Sequence, residues 1–136
     1  MPDALLDRKT FKAAVFERDG YACVICGAPA VDAHHILERK LFEDGGYYLS
    51  NGSSLCSACH LEAEKTSLSV EAIRVACKIR VPALPNGFSS SNCYDKWGNE
   101  VMFDGRRRPG PLFQDEGARR ILTQAGILYD GTFITE

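Results

Sequence analysis

The chain has six cysteines, and four of them form two closely spaced pairs. The pairs are Cys23-x-x-Cys26 and Cys56-x-x-Cys59. Because a CxxC turn presents two sulfurs to one point, two such pairs can supply four thiolates to one tetrahedral zinc ion. The segment between the pairs, residues 27–55, is longer than the roughly 15–20 residues of a common zinc ribbon and leaves room for a hairpin. The spacing predicts a closed, structural zinc site, and the alternative is that one or both pairs are reduced core cysteines.

All three histidines lie between these cysteine pairs or directly beyond them. His34 and His35 are adjacent within the intervening segment, and His60 directly follows Cys59. Such histidines are packing residues, metal ligands or catalytic bases, since an imidazole titrates near neutral pH. If the zinc site fixes both ends of the segment, the three imidazoles can gather around a second metal ion that keeps open positions. Asp32 shares a strand face with His34 and is an alternative ligand for that ion.

The composition favours a soluble protein without a general attraction for polyanions. The formal net charge is −2, so any attraction to nucleic acid must come from local basic patches or from bound metal. No apolar run approaches the length of a membrane span, and the N-terminus lacks the apolar region of a signal peptide. Spaced cysteine pairs are also typical of metal sites in a reducing compartment. We therefore expect a cytoplasmic protein that makes no contact with membranes.

Apolar periodicity and capping residues predict the secondary structure. Helices are expected over 7–19 and 69–80, and residues 54–65 are expected to form a second cysteine turn that runs into a helix carrying His60. Ser69 is expected to cap the helix over 69–80, and the prolines that follow it are expected to stop it. Residues 30–37 are predicted to form a strand, and residues 43–54, which are rich in glycine, are predicted to form a loop.

The order of these residues is characteristic of one enzyme family. The pattern F-x-R-D-x-Y-x-C-x-x-C-G, then D-A-H-H-I, then L-S-N-G-x-x-L-C-x-x-C-H runs from about Phe16 to Lys65. It resembles the HNH endonuclease family, in the subgroup with a two-CxxC zinc site. The resemblance implies a small α+β protein with a ββα-metal core, in which a hairpin and a helix hold one divalent ion.

The resemblance also implies a role for each matched residue. His35 matches the general base, whereas His34 and His60 match ligands of the catalytic ion. Asn51 matches the middle letter of the motif, which steadies the loop and orients the base. The four paired cysteines match the ligands of a structural Zn²⁺. The catalytic ion is predicted to be Mg²⁺ or Mn²⁺, although imidazole ligands also admit other divalent ions.

These roles predict a metal-dependent endonuclease or nickase that hydrolyses DNA, with double-stranded DNA as the expected partner. An imidazole can deprotonate water near neutral pH, and a divalent ion stabilises charge on the phosphate and the leaving oxygen. The resemblance implies products with 5′-phosphate and 3′-hydroxyl ends and fits a phage or mobile-element origin. The alternative is a catalytically inactive, zinc-stabilised module that binds nucleic acid or takes part in an assembly.

The sequence also predicts a domain division and a role for two basic residues. We predict an HNH nuclease domain over 1–80, with its motif core at 16–65. A C-terminal extension over 81–136 is predicted to be irregular, with a short helix near 116–125, and it is a candidate surface for a protein partner. Two residues after the histidines are predicted to contact nucleic-acid phosphates, and their alternative is a solvated strand end; they are Arg39 and Lys40.

Overall fold

The computed structural model describes residues 3–134, so residues 1–2 and 135–136 of the two predicted domains lie outside it. The described residues form a small α+β fold, as expected, with four α-helices and five short β-strands. In chain order these are α1 (Arg8–Arg18), β1 (Asp32–His35), β2 (Gly52–Leu55), α2 (Ser57–Glu64), α3 (Val70–Cys77), β3 (Cys93–Tyr94), β4 (Glu100–Val101), β5 (Arg107–Arg108) and α4 (Glu116–Gln124). Within residues 3–134, no helix has both the length and the apolar character needed to cross a membrane.

The centre of the fold is a ββα unit made of β1, β2 and α2. The two strands pair antiparallel, with His35 opposite Gly52 and Asp32 opposite Leu55. Helix α2 starts directly after β2, where the Cys56 sulfur caps it by accepting a hydrogen bond from the backbone of Cys59. The hairpin and helix expected from the HNH resemblance are therefore present.

Strand β2 corrects the predicted loop over 43–54. Its residues Gly52, Ser53 and Ser54 have little intrinsic preference for strand structure, but pairing with β1 buries all of them. Gly52 also lets α1 approach the strand closely, because a Cβ atom there would lie 2.8 Å from the ring of Phe11. Tertiary packing therefore overrides the local loop signal at this position.

Helix α1 is fixed to the hairpin by a partly buried polar contact at its end. The Arg18 guanidinium donates hydrogen bonds to the carbonyl oxygens of Leu49 and Gly52, each at 2.7 Å. The neighbouring Asp19 carboxylate accepts a bond from the backbone of Ser54 at 3.0 Å. These bonds set α1 beside the end of β1, where the histidine pair lies.

Helix α3 packs Val70, Ile73 and Cys77 into the first hydrophobic core, together with residues of the ββα unit. The Ser69 side chain caps it by accepting a hydrogen bond from the backbone of Ala72, as predicted. The helix ends three residues earlier than predicted, because Lys78 adopts a left-handed conformation that terminates it before the prolines.

The C-terminal extension contains more regular structure than expected. Strands β3, β4 and β5 form an antiparallel meander, and α4 lies within the predicted helical segment near 116–125. A second hydrophobic core is built around Trp97 and Leu122, while Tyr94 packs in the first core. Tyr94 therefore joins the extension to the ββα unit. The predicted division at residue 81 stays a prediction.

Candidate active site and metal centres

Four cysteine sulfurs meet at one point between the loop after α1 and the start of α2. The Sγ atoms of Cys23, Cys26, Cys56 and Cys59 all lie within 4.8 Å of one another, and none of these cysteines is in a disulfide. The Sγ atoms of Cys26 and Cys56 are 3.6 Å apart. A tetrahedral zinc ion with Zn–S bonds of about 2.3 Å separates its sulfurs by about 3.8 Å. The donor set and its spacing therefore fit the predicted structural zinc.

The thiols of this cluster differ in protonation. Burial acts to raise the pKa of Cys23, but backbone N–H groups of Cys26, Cys56 and Ile25 outweigh it and lower that pKa to about 6. Burial and the neighbouring sulfurs raise the pKa of Cys59. A thiolate is the form that binds zinc, so the lowered pKa of Cys23 favours zinc binding at this cluster.

A second cluster of metal-binding groups lies between β1 and α2. The ligand atoms of His34, His60 and Glu64 are within 4.8 Å of one another. His34 is 2% exposed, and its Nε2 atom has no hydrogen-bond partner within residues 3–134. A buried, unpartnered nitrogen is unusual in a folded protein and is expected at a ligand position. Two imidazole nitrogens and a carboxylate oxygen fit a divalent cation.

Glu64 is the member of this cluster that sequence reasoning missed. It follows His60 by one helical turn, so the two side chains lie on the same face of α2. Its Oε1 atom is 3.4 Å from His60 Nε2. The spacing of four residues was a usable signal, but an acidic residue on a helix becomes informative only once its histidine neighbour is assigned as a ligand.

Asp32 lies behind the imidazole of His60. Its Oδ2 atom is 2.9 Å from His60 Nδ1, the ring nitrogen on the side away from the Glu64 contact. The carboxylates of Glu64 and Asp32 raise the pKa of His60. A carboxylate on the outer nitrogen of a metal-binding histidine orients the ring, so this geometry favours Asp32 as an orienting residue over its alternative as a ligand.

His35 follows His34 on β1 and faces the opposite side of the strand. The centroid of its ring lies 4.7 Å from that of Phe11, in a stacked arrangement, and 4.8 Å from that of Tyr47, in an edge-to-face arrangement. Its Nε2 atom is buried and has no partner in the described part of the chain. Burial, and then the positive charges of Lys96 and Arg39, lower the pKa of His35 to about 4. The imidazole is therefore neutral near neutral pH and can accept a proton.

Asn51 is fully buried and holds the loop that follows β1. Its Oδ1 atom accepts a hydrogen bond from the backbone N–H of Leu37 at 3.0 Å. Its amide nitrogen donates to the carbonyl oxygens of Leu37 at 3.0 Å and of Gly46 at 3.2 Å. The structure thus places Asn51 beneath the site as a support for the loop, outside the cluster of candidate metal ligands.

The three histidines line one open cavity of about 330 Å³. Arg39 lines this cavity, as do three other cations, Arg8, Lys12 and Lys96. Lys40 does not line it, and its ammonium lies 3.2 Å from the carboxylate of Asp115. The sequence predicted Arg39 and Lys40 as a pair, whereas the structure brings only Arg39 to the histidines.

The family comparison covers the two candidate metal clusters and the histidines. Residues 23–66, about a third of the chain, match the family model described as HNH endonuclease. No curated protein and no solved structure matches the chain significantly. The matched segment contains all four paired cysteines, all three histidines, Asn51 and Glu64. Residues 23–66 therefore resemble an HNH endonuclease domain, and that family indicates nuclease activity on nucleic acid.

Proposed function

We propose that the protein is a metal-dependent endonuclease or nickase that hydrolyses phosphodiester bonds of double-stranded DNA in the cytoplasm. The observation that carries this proposal is the pair of buried Nε2 atoms of His34 and His35, which lack partners within the described chain and belong to residues lining one cavity. His60 and Glu64 complete a ligand set next to His34. His35 remains outside that set and is free to act as a base.

The reaction is a hydrolysis in which His35 moves the proton. His35 Nε2 accepts a proton from a water molecule whose oxygen forms a bond to phosphorus. The bond between phosphorus and the 3′ oxygen breaks, and that oxygen takes a proton from solvent. The products then carry 5′-phosphate and 3′-hydroxyl ends. When bound by His34, His60 and Glu64, Mg²⁺ or Mn²⁺ supplies Lewis-acid stabilisation of the developing negative charge.

The surrounding residues prepare this geometry before substrate arrives. Phe11 and Tyr47 hold the ring of His35 from two directions, and Asp32 fixes the ring of His60. Asn51 secures the loop that closes this side of the cavity. Groups held in place in advance do not need to reorganise during the reaction, which is a main source of rate enhancement.

Positive charges at the rim of the cavity explain how a protein of net charge −2 can bind nucleic acid. Arg8 and Lys12 on α1 and Arg39 after β1 line the same cavity as the histidines. Such side chains contact backbone phosphates and carry no base information. We therefore expect weak or structure-dependent sequence specificity.

The test is cleavage of supercoiled plasmid in the presence of Mg²⁺, Mn²⁺ or EDTA. The wild-type protein is expected to nick or linearise the plasmid with either metal and to do neither in EDTA. His35→Ala, with its zinc content checked, is expected to lose this activity, while Glu62→Ala on the exposed side of α2 keeps it. Wild-type protein that is inert on plasmid and on single-stranded DNA would overturn the proposal.

A further inference from the structure

Lys96 belongs to the C-terminal extension, yet its ammonium lies in the candidate active site. The residue is 5% exposed and lines the same cavity as the three histidines. Its Nζ atom donates a hydrogen bond to the carbonyl oxygen of His35 at 3.1 Å and lies 3.6 Å from Oε2 of Glu64. The family match ends at residue 66, so this cation lies outside the matched segment.

The loop that carries Lys96 is rigidly built. Asp95 is its centre, because its carboxylate accepts hydrogen bonds from the backbones of Trp97 and Asn99 and from Arg107, each at 2.9–3.0 Å. The backbone carbonyl of Lys96 accepts a bond from Glu38 at 2.9 Å. The position of the ammonium is therefore set by the fold before any ligand binds.

Trp97 ties the same loop to the helix of the ligand cluster. Its indole N–H donates to the carbonyl oxygen of Glu64 at 2.8 Å, at the end of α2. The Lys96 ammonium also lies 5.0 Å from the Trp97 ring centroid. Lys96 and the candidate ligand Glu64 are thus held in one connected unit, although 31 positions separate Glu64 from Asp95.

The hydrogen bonds of Lys96 leave capacity for another anion. An ammonium has three N–H donors, and in the described residues only the His35 carbonyl accepts a direct bond from it. The carboxylates of Glu38 and Glu64 lie at 3.8 Å and 3.6 Å, too far for direct hydrogen bonds. Two donors are therefore available to a group that enters the cavity.

The carboxylates of Glu38 and Glu64 balance the charge of Lys96, but metal binding gives no reason for a positive charge at this position. A fixed positive charge next to a ligand carboxylate repels a divalent cation and weakens its binding. The same charge attracts a phosphate that carries negative charge in the ground state and more in the transition state. A cation at this place therefore suits a cavity that receives a phosphodiester.

We propose that Lys96 is a catalytic residue that binds a non-bridging oxygen of the scissile phosphate, and that the C-terminal extension supplies it to the HNH domain. The inference rests on the proposed nuclease function. It makes the extension a part of the active site, because Lys96 is held there by the turn between β3 and β4.

The experiment compares Lys96→Met with Lys78→Met, which removes an exposed lysine outside the cavity. Binding of a fluorescent DNA duplex is measured against salt with Mn²⁺ present, in a His35→Ala background that prevents cleavage. Loss of one phosphate contact is expected to reduce the slope of log affinity against log salt by about 0.9, which is about ten-fold weaker binding near 0.1 M salt. Lys78→Met is expected to leave the slope unchanged.

Binding of Mn²⁺ alone, measured by electron paramagnetic resonance, separates this role from a structural one. Lys96→Met is expected to bind Mn²⁺ as tightly as the parent or more tightly, because a repelling charge is removed. An unchanged salt slope with weaker Mn²⁺ binding would overturn the proposal and make Lys96 a support for Glu64. Because neither measurement uses cleavage, failure of the nuclease proposal is seen separately in the plasmid assay.

A measurement on the unsubstituted lysine covers the case in which Lys96→Met does not fold. In protein with ¹³C-labelled lysine, the Cε–Hε cross-peak of Lys96 is followed as the duplex is added, again in the His35→Ala background. The cross-peak is expected to shift in step with binding, while that of Lys78 stays in place. A Lys96 cross-peak that does not move at saturating duplex would overturn the proposal. In the active enzyme, Lys96→Met is expected to lower kcat by about 100-fold.

Discussion

The two candidate metal clusters share helix α2 but differ in the number of protein donors and in the free space beside them. The four cysteine sulfurs lie within 4.8 Å of one another, and the 3.6 Å between Cys26 and Cys56 is close to the spacing in a tetrahedral zinc site. The second cluster has three donors, from His34, His60 and Glu64, and it borders a cavity of about 330 Å³. A closed set of four protein ligands is typical of structural sites, and a three-ligand set with free space is typical of catalytic ones. In the proposed function, position along one helix thus separates a structural metal site from a catalytic one.

The largest expected effect comes from opening the closed cluster. Cys59→Ser is expected to lose bound zinc and the cooperative unfolding transition, because structural zinc contributes roughly 10 kcal/mol or more to small zinc domains. Zinc content and thermal unfolding measured by circular dichroism provide the check. Cys93→Ser is the control, since Cys93 is exposed and lies outside the cluster. Full zinc content with an unchanged unfolding transition in Cys59→Ser would show that the four-cysteine cluster is not a structural zinc site.

The next effect separates the two adjacent histidines. His35→Ala is expected to lower the cleavage rate by about 10²–10⁴-fold while Mn²⁺ binding stays intact, because it removes only the base. His34→Ala is expected to lose both activity and Mn²⁺ binding while keeping its zinc. Plasmid cleavage and Mn²⁺ titration of both variants provide the measurement. If His35→Ala also lost the ion, the assignment of base and ligand would be wrong.

A smaller effect is expected at the loop beneath the open cluster. Asn51→Ala removes three hydrogen bonds and leaves the backbone N–H and carbonyl of the buried residue Leu37 without their partners. The free energy of unfolding is expected to fall by about 3 kcal/mol. Urea denaturation provides the measurement, and Asn92→Ala, an exposed asparagine, is the control. Equal stability of the two variants would show that the loop does not depend on Asn51.

The smallest effect is expected behind His60. Asp32→Asn removes the charge that contacts His60 Nδ1 and is expected to weaken Mn²⁺ binding by about 10–100-fold, as is usual for residues that orient a metal ligand. Zinc content is expected to stay the same. Asp104→Asn, on the turn between β4 and β5, is the control in the same titration. Complete loss of Mn²⁺ binding in Asp32→Asn would instead make Asp32 a direct ligand.

The sequence predicted the closed cluster and most of the open one, because their residues are close in the chain and their spacing is specific. The two CxxC pairs, the histidine pair and His60 occur in an order that only a few folds require. The ββα unit then follows from the same pattern. The loop predicted over 43–54 was wrong at β2. Gly52, Ser53 and Ser54 are typical loop residues, but pairing with β1 makes them a strand.

The sequence did not predict the residues that reach the site through tertiary structure. Lys96 reaches it from the turn between β3 and β4, so no local spacing connects it to the histidines. Arg39 and Lys40 show the converse, since neighbours in the chain point to different partners, Tyr47 and Asp115. Residue type and spacing along the chain predict what chemistry a side chain can perform. The direction in which a long side chain points depends on the whole fold.

The most direct test of the two-centre account is anomalous diffraction from crystals soaked in Mn²⁺, recorded at the zinc and manganese edges. One zinc peak is expected among the four cysteine sulfurs, and one manganese peak is expected between His34, His60 and Glu64. The manganese ligands are expected to exclude His35. A manganese peak that is absent from this cluster, or that is bound through His35, would contradict the account.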